Sequence, residues 1–286
     1  MPGPAETSWS EAACRIADCG WRRVLVLGPS DAGKSWFCRH LCDRLLAAGR
    51  RVAVVDADIG QKIVGPPAAV TLCHARPGRD LFAARAERFA FVGATGPIGH
   101  FLPLVVGAAR LVAAAQADVT IIDTGGLVGG PGFALKLHKI AAVRPDGLVA
   151  IDKAGELAAL LRAHRHIPAL RLAPAPEAGT KSTEARRAAR ARRFLQYFAE
   201  AAPIDLALAQ IVLQPFGCPS LQPGLLCGVA DGAGGGLGLA RVEDVDEGRG
   251  ALRLSTPVAA ARIRILQLGA LRIGHDGRDY RWEEAQ

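Results

Sequence analysis

Residues 28–35, GPSDAGKS, match the pattern G-x-x-x-x-G-K-[ST] and are the residues of this chain best suited to bind phosphate groups. Glycines let such a loop wrap around phosphates, and its backbone N–H groups point at them. We expect Lys34 to reach the β- and γ-phosphates of a nucleoside triphosphate and the Ser35 hydroxyl to bind Mg²⁺. The residues predicted to contact the nucleotide, which we take to be ATP, are Gly28, Ser30, Asp31, Ala32, Gly33, Lys34, Ser35 and Trp36.

Acidic residues follow the next apolar run, in VVDADIGQ at 54–61. Asp56 and Asp58 at the carboxyl end of a strand, one loop away from a phosphate site, are placed to hold Mg²⁺ or to accept a proton. Capping of the loop backbone is the alternative interpretation of both aspartates. The predicted metal ligands are therefore Ser35, Asp56 and Asp58.

Two further loops contain residues suited to contact a substrate. In GATGPIG, at 93–99, Thr95 could contact substrate or phosphate beside Gly96 and Pro97. In the run Asp123-Thr124-Gly125-Gly126, Asp123 has a plausible metal-supporting role, and a simple turn is the alternative.

A basic segment, KSTEARRAARARRFLQYF at 181–198, carries six cationic residues and one glutamate. Helical spacing puts Arg186, Arg190, Arg193 and Tyr197 on one stripe and sets Leu195 with other apolar residues opposite. Such a face is often simply solvated. Beside a triphosphate site its arginines could instead close over phosphates or hold a polyanionic substrate.

The elements that must position these residues alternate between strand and helix. Apolar runs predict strands at 23–28, 51–58, 88–95, 118–126, 146–153 and 169–174, and helical spacing predicts helices at 34–48, 100–116, 132–143 and 154–165. This order predicts an α/β P-loop NTPase fold with a mainly parallel sheet covered by helices. From residue 204 onward, short apolar runs separated by glycine-rich turns predict a small all-β domain, in which GAGGG at 232–236 is a hairpin turn.

These patterns predict three regions: an N-terminal extension at 1–20, a P-loop domain at 21–203 with an arginine-rich lid helix at about 181–200, and a β-rich C-terminal domain at 204–286. The sequence has no run long enough to span a membrane and no signal-peptide pattern. Its seven scattered cysteines contain no C-x-x-C pair and indicate buried thiols in a reducing cytoplasm.

In this order, the phosphate loop, D-x-D-x-G-Q, the Gly/Pro loop, the D-T-x-G turn, the arginine-rich helix and the β-rich end resemble the polynucleotide 5′-hydroxyl kinases. That family includes the kinase subunit of the mRNA cleavage factor and the ribosomal-RNA-processing kinase. The resemblance implies transfer of the γ-phosphate of ATP to the 5′-hydroxyl of RNA, and in some members of DNA. It makes Lys34, Asp58, Arg186 and Arg190 the expected catalytic residues. The expected substrate-binding residues are Gln61, Thr95, Gly96, Pro97, Thr124, Gly125 and Arg193.

The chain departs from the family pattern after its fourth predicted strand. The family commonly has N-T-x-G-W there, whereas Asp123 replaces the asparagine and Leu127 replaces the tryptophan. Loss of the tryptophan removes a surface on which a base could stack. Two other functions stay open: an ATPase or GTPase switch without phosphate transfer, and a kinase of a small nucleoside-like substrate. Binding that does not depend on salt would favour the small substrate.

Overall fold

The computed structural model describes residues 8–174, 179–218 and 220–281. Residues 1–7 of the predicted N-terminal extension and 282–286 of the predicted C-terminal domain lie outside this range. The helices are α1 (Trp9–Asp18), α2 (Lys34–Ala47), α3 (Phe101–Ala114), α4 (Pro131–Val143), α5 (Ala158–Ala163) and α6 (Thr183–Phe198). The strands are β1 (Arg23–Leu27), β2 (Val52–Ala57), β3 (Ala69–His74), β4 (Arg88–Phe91), β5 (Val119–Thr124), β6 (Gly147–Ile151), β7 (Ala169–Leu172), β8 (Ala202–Ala207), β9 (Val212–Pro215), β10 (Leu225–Ala230), β11 (Gly236–Asp246), β12 (Ala251–Thr256), β13 (Ile265–Ile273) and β14 (Asp279–Arg281).

The chain divides into two compact units. The first unit comprises Met1–Asp58, Leu72–Glu87 and Ala108–Lys181, and the second comprises Ile59–Thr71, Arg88–Gly107 and Ser182–Gln286. The domain boundaries predicted from the sequence stay predictions, and β8 spans the second of them. None of the helices in the described part of the chain has the length and apolar character that crossing a membrane requires.

The sheet of the first unit is mainly parallel, which confirms the predicted α/β fold. Its strands lie in the order β3, β2, β5, β1, β6 and β7, with Leu72–His74 of β3 in this unit. β2, β5, β1, β6 and β7 pair with their neighbours in parallel. Every residue of β2, β5 and β6 is buried, as expected for a sheet covered on both faces.

Two elements of the first unit were missing from the sequence prediction. α1 begins with a capping box, in which Ser8 and Glu11 bond each other's backbone N–H groups, and the Trp9 ring packs edge-on against Phe37 of α2 at 5.5 Å. Residues 8–18 are therefore a packed helix within the predicted extension. β3 was also missed.

Cys14, on α1, and Cys19, just after it, are exposed, whereas the other five cysteines are buried.

The second unit contains an antiparallel β structure with α6 packed on it. β14, β13, β10, β11 and β4 are successive neighbours, β12 pairs with both β11 and β8, and β9 runs parallel to β13. The predicted hairpin turn joins β10 to β11, where Asp231 accepts bonds from the backbone of Ala233 and Gly235. The core lies between these strands and contains Leu225, Cys227, Val229, Ala240, Val242, Leu252, Leu254, Leu266 and Leu268.

The apolar face of α6 differs from the predicted one. Phe194 is fully buried, and the Tyr197 hydroxyl accepts a hydrogen bond from the Leu239 N–H at 2.7 Å. Leu195, expected on the buried side, is 46% exposed. The prediction was wrong here because Phe194 packs in a cluster with Leu226 and Leu239, and Tyr197 packs against the same cluster.

Candidate active site

The phosphate loop connects the end of β1 to the start of α2. Gly33 is the N-cap of α2 with a φ of 89°, a left-handed conformation that favours glycine. A Cβ on Gly28 would collide with the carbonyl oxygen of Ile151 in β6, so this position also requires glycine. The Gly33 cap provides no side-chain hydrogen bond to the first turn of α2. The helix therefore starts in the manner of an anion-binding N-terminus.

Lys34 and Ser35 occupy the first turn of α2 and bond to groups at the site. Lys34 is buried, and its Nζ donates to the Pro29 carbonyl across the loop at 2.7 Å. The Ser35 Oγ donates to Asp123 Oδ2 at 2.8 Å. Asp123 ends β5, so the serine hydroxyl joins the loop to the carboxyl end of the neighbouring strand.

Asp56 and Asp123 lie opposite each other on the paired strands β2 and β5. Both are buried, with Asp56 0% exposed. Burial first, and then the Asp56 carboxylate, raise the pKa of Asp123 to about 7. Asp56 Oδ1 accepts the Asp58 N–H at 3.0 Å, and Asp123 Oδ1 accepts the Thr124 N–H at 2.8 Å. Each buried carboxylate therefore orients the backbone that leads into its strand-end loop.

The Asp58 carboxyl group lies against Gly125. A Cβ on that glycine would stand 3.6 Å from Asp58 Oδ2, which is ordinary contact. The loops after β2 and β5 thus meet at this point, next to the Ser35–Asp123 hydrogen bond. Asp58 itself is half-buried at the carboxyl edge of the sheet.

Two buried lysines of α4 were absent from the sequence prediction. Lys136 and Lys139 are each 1% exposed; Lys136 Nζ donates to the Gly125 carbonyl at 2.5 Å, and Lys139 Nζ donates to the Ala57 carbonyl at 3.4 Å. Burial lowers the pKa of Lys136, as do the charges of Lys139 and Lys34, while Asp58 and Asp123 oppose the change. The available signal was K-x-x-K in an otherwise apolar helix, directly after the D-T-G-G turn.

Other predicted site residues belong to the second unit. Gln61 Nε2 donates to the Arg186 carbonyl at 3.4 Å, and the Arg193 guanidinium donates to the Ile63 carbonyl at 3.0 Å. The loop after β2 is thus bonded to α6 at two places.

Asp279 joins the Gly/Pro loop to α6 within the same unit. It accepts a hydrogen bond from Thr95 Oγ1 at 2.9 Å and pairs with Arg190 Nε at 3.1 Å. The neighbours of Thr95 differ in exposure: Gly96 is exposed, and Pro97 is half-buried with its carbonyl bonded to the His100 N–H. Thr95 and Arg190 therefore already share a carboxylate, and their predicted contacts with phosphate or substrate stay predictions.

The remaining nucleotide-binding candidates lie in the first unit. Asp31, with a φ of 61°, accepts the Lys181 N–H at 3.1 Å, and Ala32 is buried. Gly126 lies directly against Ser30, and Trp36 follows Ser35 on α2 with most of its surface exposed. The structure therefore gathers Lys34, Ser35, Asp56, Asp58, Thr124 and Gly125 at one sheet edge, while Gln61, Arg186 and Arg193 form a second group.

The oxygen donors at the sheet edge fit Mg²⁺. Among the described residues there is no group of three or more His, Cys, Asp or Glu side chains that could hold a metal ion. Mg²⁺ is commonly held by one or two protein oxygens together with phosphates and water, so a hydroxyl and a few carboxylates suffice. Ser35, Asp56 and Asp58 stay the predicted ligands.

A glycine loop here connects a strand to a helix whose first turn carries lysine and serine and has no side-chain cap. The serine bonds to a buried aspartate of the neighbouring strand. Together these features define a P-loop nucleotide-binding protein. Residues 28–200 match the family model described as mRNA cleavage and polyadenylation factor CLP1 P-loop. The chain belongs to this family.

Named relatives agree with the family match. A polyribonucleotide 5′-hydroxyl-kinase of Methanocaldococcus jannaschii is 32% identical over 195 residues, which are 67% of this chain and 54% of that protein. Clp1 of Xenopus tropicalis, also named a polyribonucleotide 5′-hydroxyl-kinase, is 33% identical over 193 residues, 62% of this chain and 44% of that protein. The chain thus matches about half the length of these relatives.

A solved structure supports the fold alone. The chain superimposes on wild-type Clp1p in its complex with Pcf11p with a TM-score of 0.70 at 13% identity. The superposition covers 91% of this chain and 77% of the Clp1p chain.

Proposed function

We propose that this chain is an ATP- and Mg²⁺-dependent polynucleotide 5′-hydroxyl kinase that acts on RNA ends, and the assay below tests DNA ends as a further acceptor. The observation that carries the proposal is the meeting of the Asp58 carboxyl group with Gly125 beside the Ser35–Asp123 bond. A carboxylate at this position would serve as the proton acceptor beside the phosphate loop. The names of the relatives support the same activity.

In the proposed reaction, the 5′-hydroxyl oxygen attacks the γ-phosphorus and the bond from that phosphorus to the β–γ bridging oxygen breaks. ADP leaves with the bond's electron pair, and the hydroxyl proton passes to the Asp58 carboxylate. Asp56 keeps Asp58 in place through the backbone bond of 3.0 Å. The proposed contacts of the acceptor strand are with Gln61, Thr95, Gly96, Pro97, Thr124, Gly125 and Arg193.

Charge neutralisation is the main task of the protein in phosphoryl transfer, because the transition state is loose. The loop N–H groups and Lys34 face the triphosphate. Mg²⁺, for which Ser35 and Asp56 are the predicted ligands when Asp58 acts as the proton acceptor, would supply further positive charge to the phosphate oxygens. Arg186 is the first candidate for the transferring phosphoryl group. Arg190, which is paired with Asp279, is the second candidate.

The decisive experiment is a transfer assay with γ-labelled ATP, Mg²⁺ and short 5′-hydroxyl RNA and DNA oligonucleotides. We expect label on the 5′ end, and we expect Asp58→Asn to lower the rate at least ~100-fold, as loss of a general base does, while ATP binding stays unchanged. Asp43→Asn, at an exposed aspartate of α2, is the matched control and keeps full activity.

Other results of the assay separate the competing functions. Slow hydrolysis of ATP or GTP without labelled oligonucleotide contradicts the kinase and favours a switch. Label on a free nucleoside alone favours a small-substrate kinase. An active Lys34→Ala variant contradicts every function based on the loop. The cytoplasmic location expected from the thiol pattern belongs to the same proposal.

A further inference from the structure

Three side chains of the first unit form an aromatic platform, which we define as Trp36, Arg39 and Phe82. The Trp36 and Phe82 rings meet edge to face with centroids 5.0 Å apart. The Arg39 Cζ atom lies 5.5 Å from the Trp36 centroid and 5.3 Å from the Phe82 centroid. These distances fall within the range of cation–π contacts, so the three planar groups of the platform contact one another.

The platform is both fixed and open. Arg39 Nε pairs with Asp80 at 3.1 Å, and Asp80 also accepts the Phe82 N–H at 3.0 Å. One carboxylate therefore holds the arginine and the segment that carries the phenylalanine. Trp36 is nevertheless 56% exposed, which is high for the largest apolar side chain. An exposed, immobilised indole has the properties of a stacking surface for a flat ligand.

The position of Trp36 on α2 identifies which flat ligand could reach it. Ser35, the residue before Trp36, belongs to the phosphate loop. Arg39 follows Trp36 by three positions, so the Trp36 and Arg39 side chains lie on the same face of α2. A nucleoside triphosphate bound at the first turn of α2 has its base one ribose away from its α-phosphate. The platform therefore begins one residue after the phosphate loop, where a base attached through a ribose could reach it.

We propose that the nucleobase of the bound nucleoside triphosphate stacks on Trp36, within the platform completed by Arg39 and Phe82. The sequence placed Trp36 among the nucleotide-contacting residues, and the structure adds its two partners and the face they leave open. The inference rests on the proposed function, because it requires the triphosphate to occupy the phosphate loop. It deepens that function by assigning the part of the site that binds the base.

The test compares ligands with and without a base. Calorimetry measures the Kd of Mg²⁺–ATP and of Mg²⁺–tripolyphosphate for the whole chain and for Trp36→Leu. We expect the leucine variant to lose about tenfold in ATP affinity, the equivalent of ~1.4 kcal/mol and within the range of base–aromatic stacking. Tripolyphosphate affinity stays unchanged, which also shows that the loop is folded. Trp36→Phe keeps most of the ATP affinity because it keeps a ring.

A second pair of variants tests the arginine. Arg39→Lys retains the charge opposite Asp80 but loses the planar guanidinium, so we expect a loss of about threefold for ATP and none for tripolyphosphate. Arg44→Lys makes the same change further along α2, where the guanidinium contacts Cys14 Sγ, and leaves both affinities unchanged.

Four results would overturn the inference, and only one of them would also contradict the proposed function. Equal ATP affinity in Trp36→Leu and wild type, or equal loss of ATP and tripolyphosphate, removes the base from the platform and leaves the loop as a phosphate site. An unchanged ATP affinity with weakened binding of a 5′-hydroxyl RNA assigns the platform to the acceptor strand. A wild-type chain that binds neither ATP nor tripolyphosphate contradicts the proposed function as well.

Discussion

Single carboxylates of the site differ in how deeply they are buried and in which backbone groups they bond. Asp56 and Asp58 stand two positions apart, yet Asp56 is fully buried and bonds the Asp58 backbone, while Asp58 is half-buried against Gly125. Asp123 likewise bonds both Ser35 and Thr124. Asp56 and Asp123 therefore orient the backbone of the strand-end loops, and Asp58 lies at the edge of the sheet against Gly125.

The buried Lys136 gives a prediction at the residue scale. Lys136→Met keeps the length and packing of the side chain but removes the amino group near Asp58 and its bond to the Gly125 carbonyl. We expect kcat for oligonucleotide transfer to fall about tenfold, because one buried hydrogen bond of ~1.5 kcal/mol no longer holds the Asp58–Gly125 contact. The KM for ATP should change little.

Steady-state kinetics with separate kcat and KM values checks this expectation, and Lys153→Met, at an exposed lysine, is the control. An unchanged kcat in Lys136→Met would show that the lysine supports the fold only.

The residues found from the sequence were those that belong to contiguous motifs, whereas their distant partners were not found. The phosphate loop is contiguous, so its pattern alone identified Lys34 and Ser35. Lys139 bonds Ala57, which lies 82 positions away, and Ser35 bonds Asp123, which lies 88 positions away. Such pairs depend on the order of strands in the sheet, which no local spacing contains.

At the scale of elements, the loop after β5 supports the phosphate loop by close contact. A Cβ on Gly126 would overlap Ser30 Oγ, its backbone nitrogen and its Cα. Gly126→Ala should therefore displace the phosphate loop and weaken ATP binding at least tenfold. Gly129→Ala is the matched control, since a Cβ there has no heavy atom within 4 Å. Calorimetric titration with ATP measures both, and similar affinities in the two variants would contradict the close contact.

An exposed ion pair joins the residues that precede β2 and β5. Asp118 accepts bonds from the Arg51 backbone N–H at 2.9 Å and from its guanidinium at 2.7 Å, and these bonds lower the pKa of Asp118 from 3.8 to about 2. Because the folded-state pKa is the lower one, the stabilisation is present above pH 3.8 and is lost as the pH falls toward 2.

Asp118→Asn should therefore be less stable than wild type at about pH 6, with a difference that shrinks between pH 4 and pH 2. Urea unfolding across this range provides the measurement. A difference that stays constant with pH would show that the Asp118 carboxylate gains nothing from Arg51.

Most elements were predictable because their apolar patterns are strong. The strands that became β1, β2, β5, β6 and β7 are continuous aliphatic runs, and α2, α3 and α4 have clear helical spacing. β3 was missed because AVTLCH is short and follows Gly65 and two prolines, which made it resemble loop. On α6 the arginine stripe was predicted, but the buried side was not, because it depends on the packing of Phe194 and Tyr197 against residues distant in the chain.

At the scale of the whole molecule, the net charge of +8 predicts how the acceptor binds. A single-stranded RNA that displaces counterions should show a slope of log affinity against log salt of about −2 or steeper, equivalent to about three neutralised phosphates. Fluorescence anisotropy with a 5′-hydroxyl RNA at 50 to 300 mM KCl measures the slope. A slope near zero would favour a small nucleoside-like substrate over a polynucleotide.

The distribution of thiols has a practical consequence. Cys38, Cys42, Cys73, Cys218 and Cys227 are buried, and burial raises the pKa of Cys42 to about 12, so alkylating reagents meet Cys14 and Cys19 first. Both lie on or directly after α1, whose Trp9 packs against Phe37 of α2. The native chain therefore accepts a fluorophore beside the helix that begins with Lys34 and Ser35, and nucleotide arrival can be followed optically without engineering a cysteine.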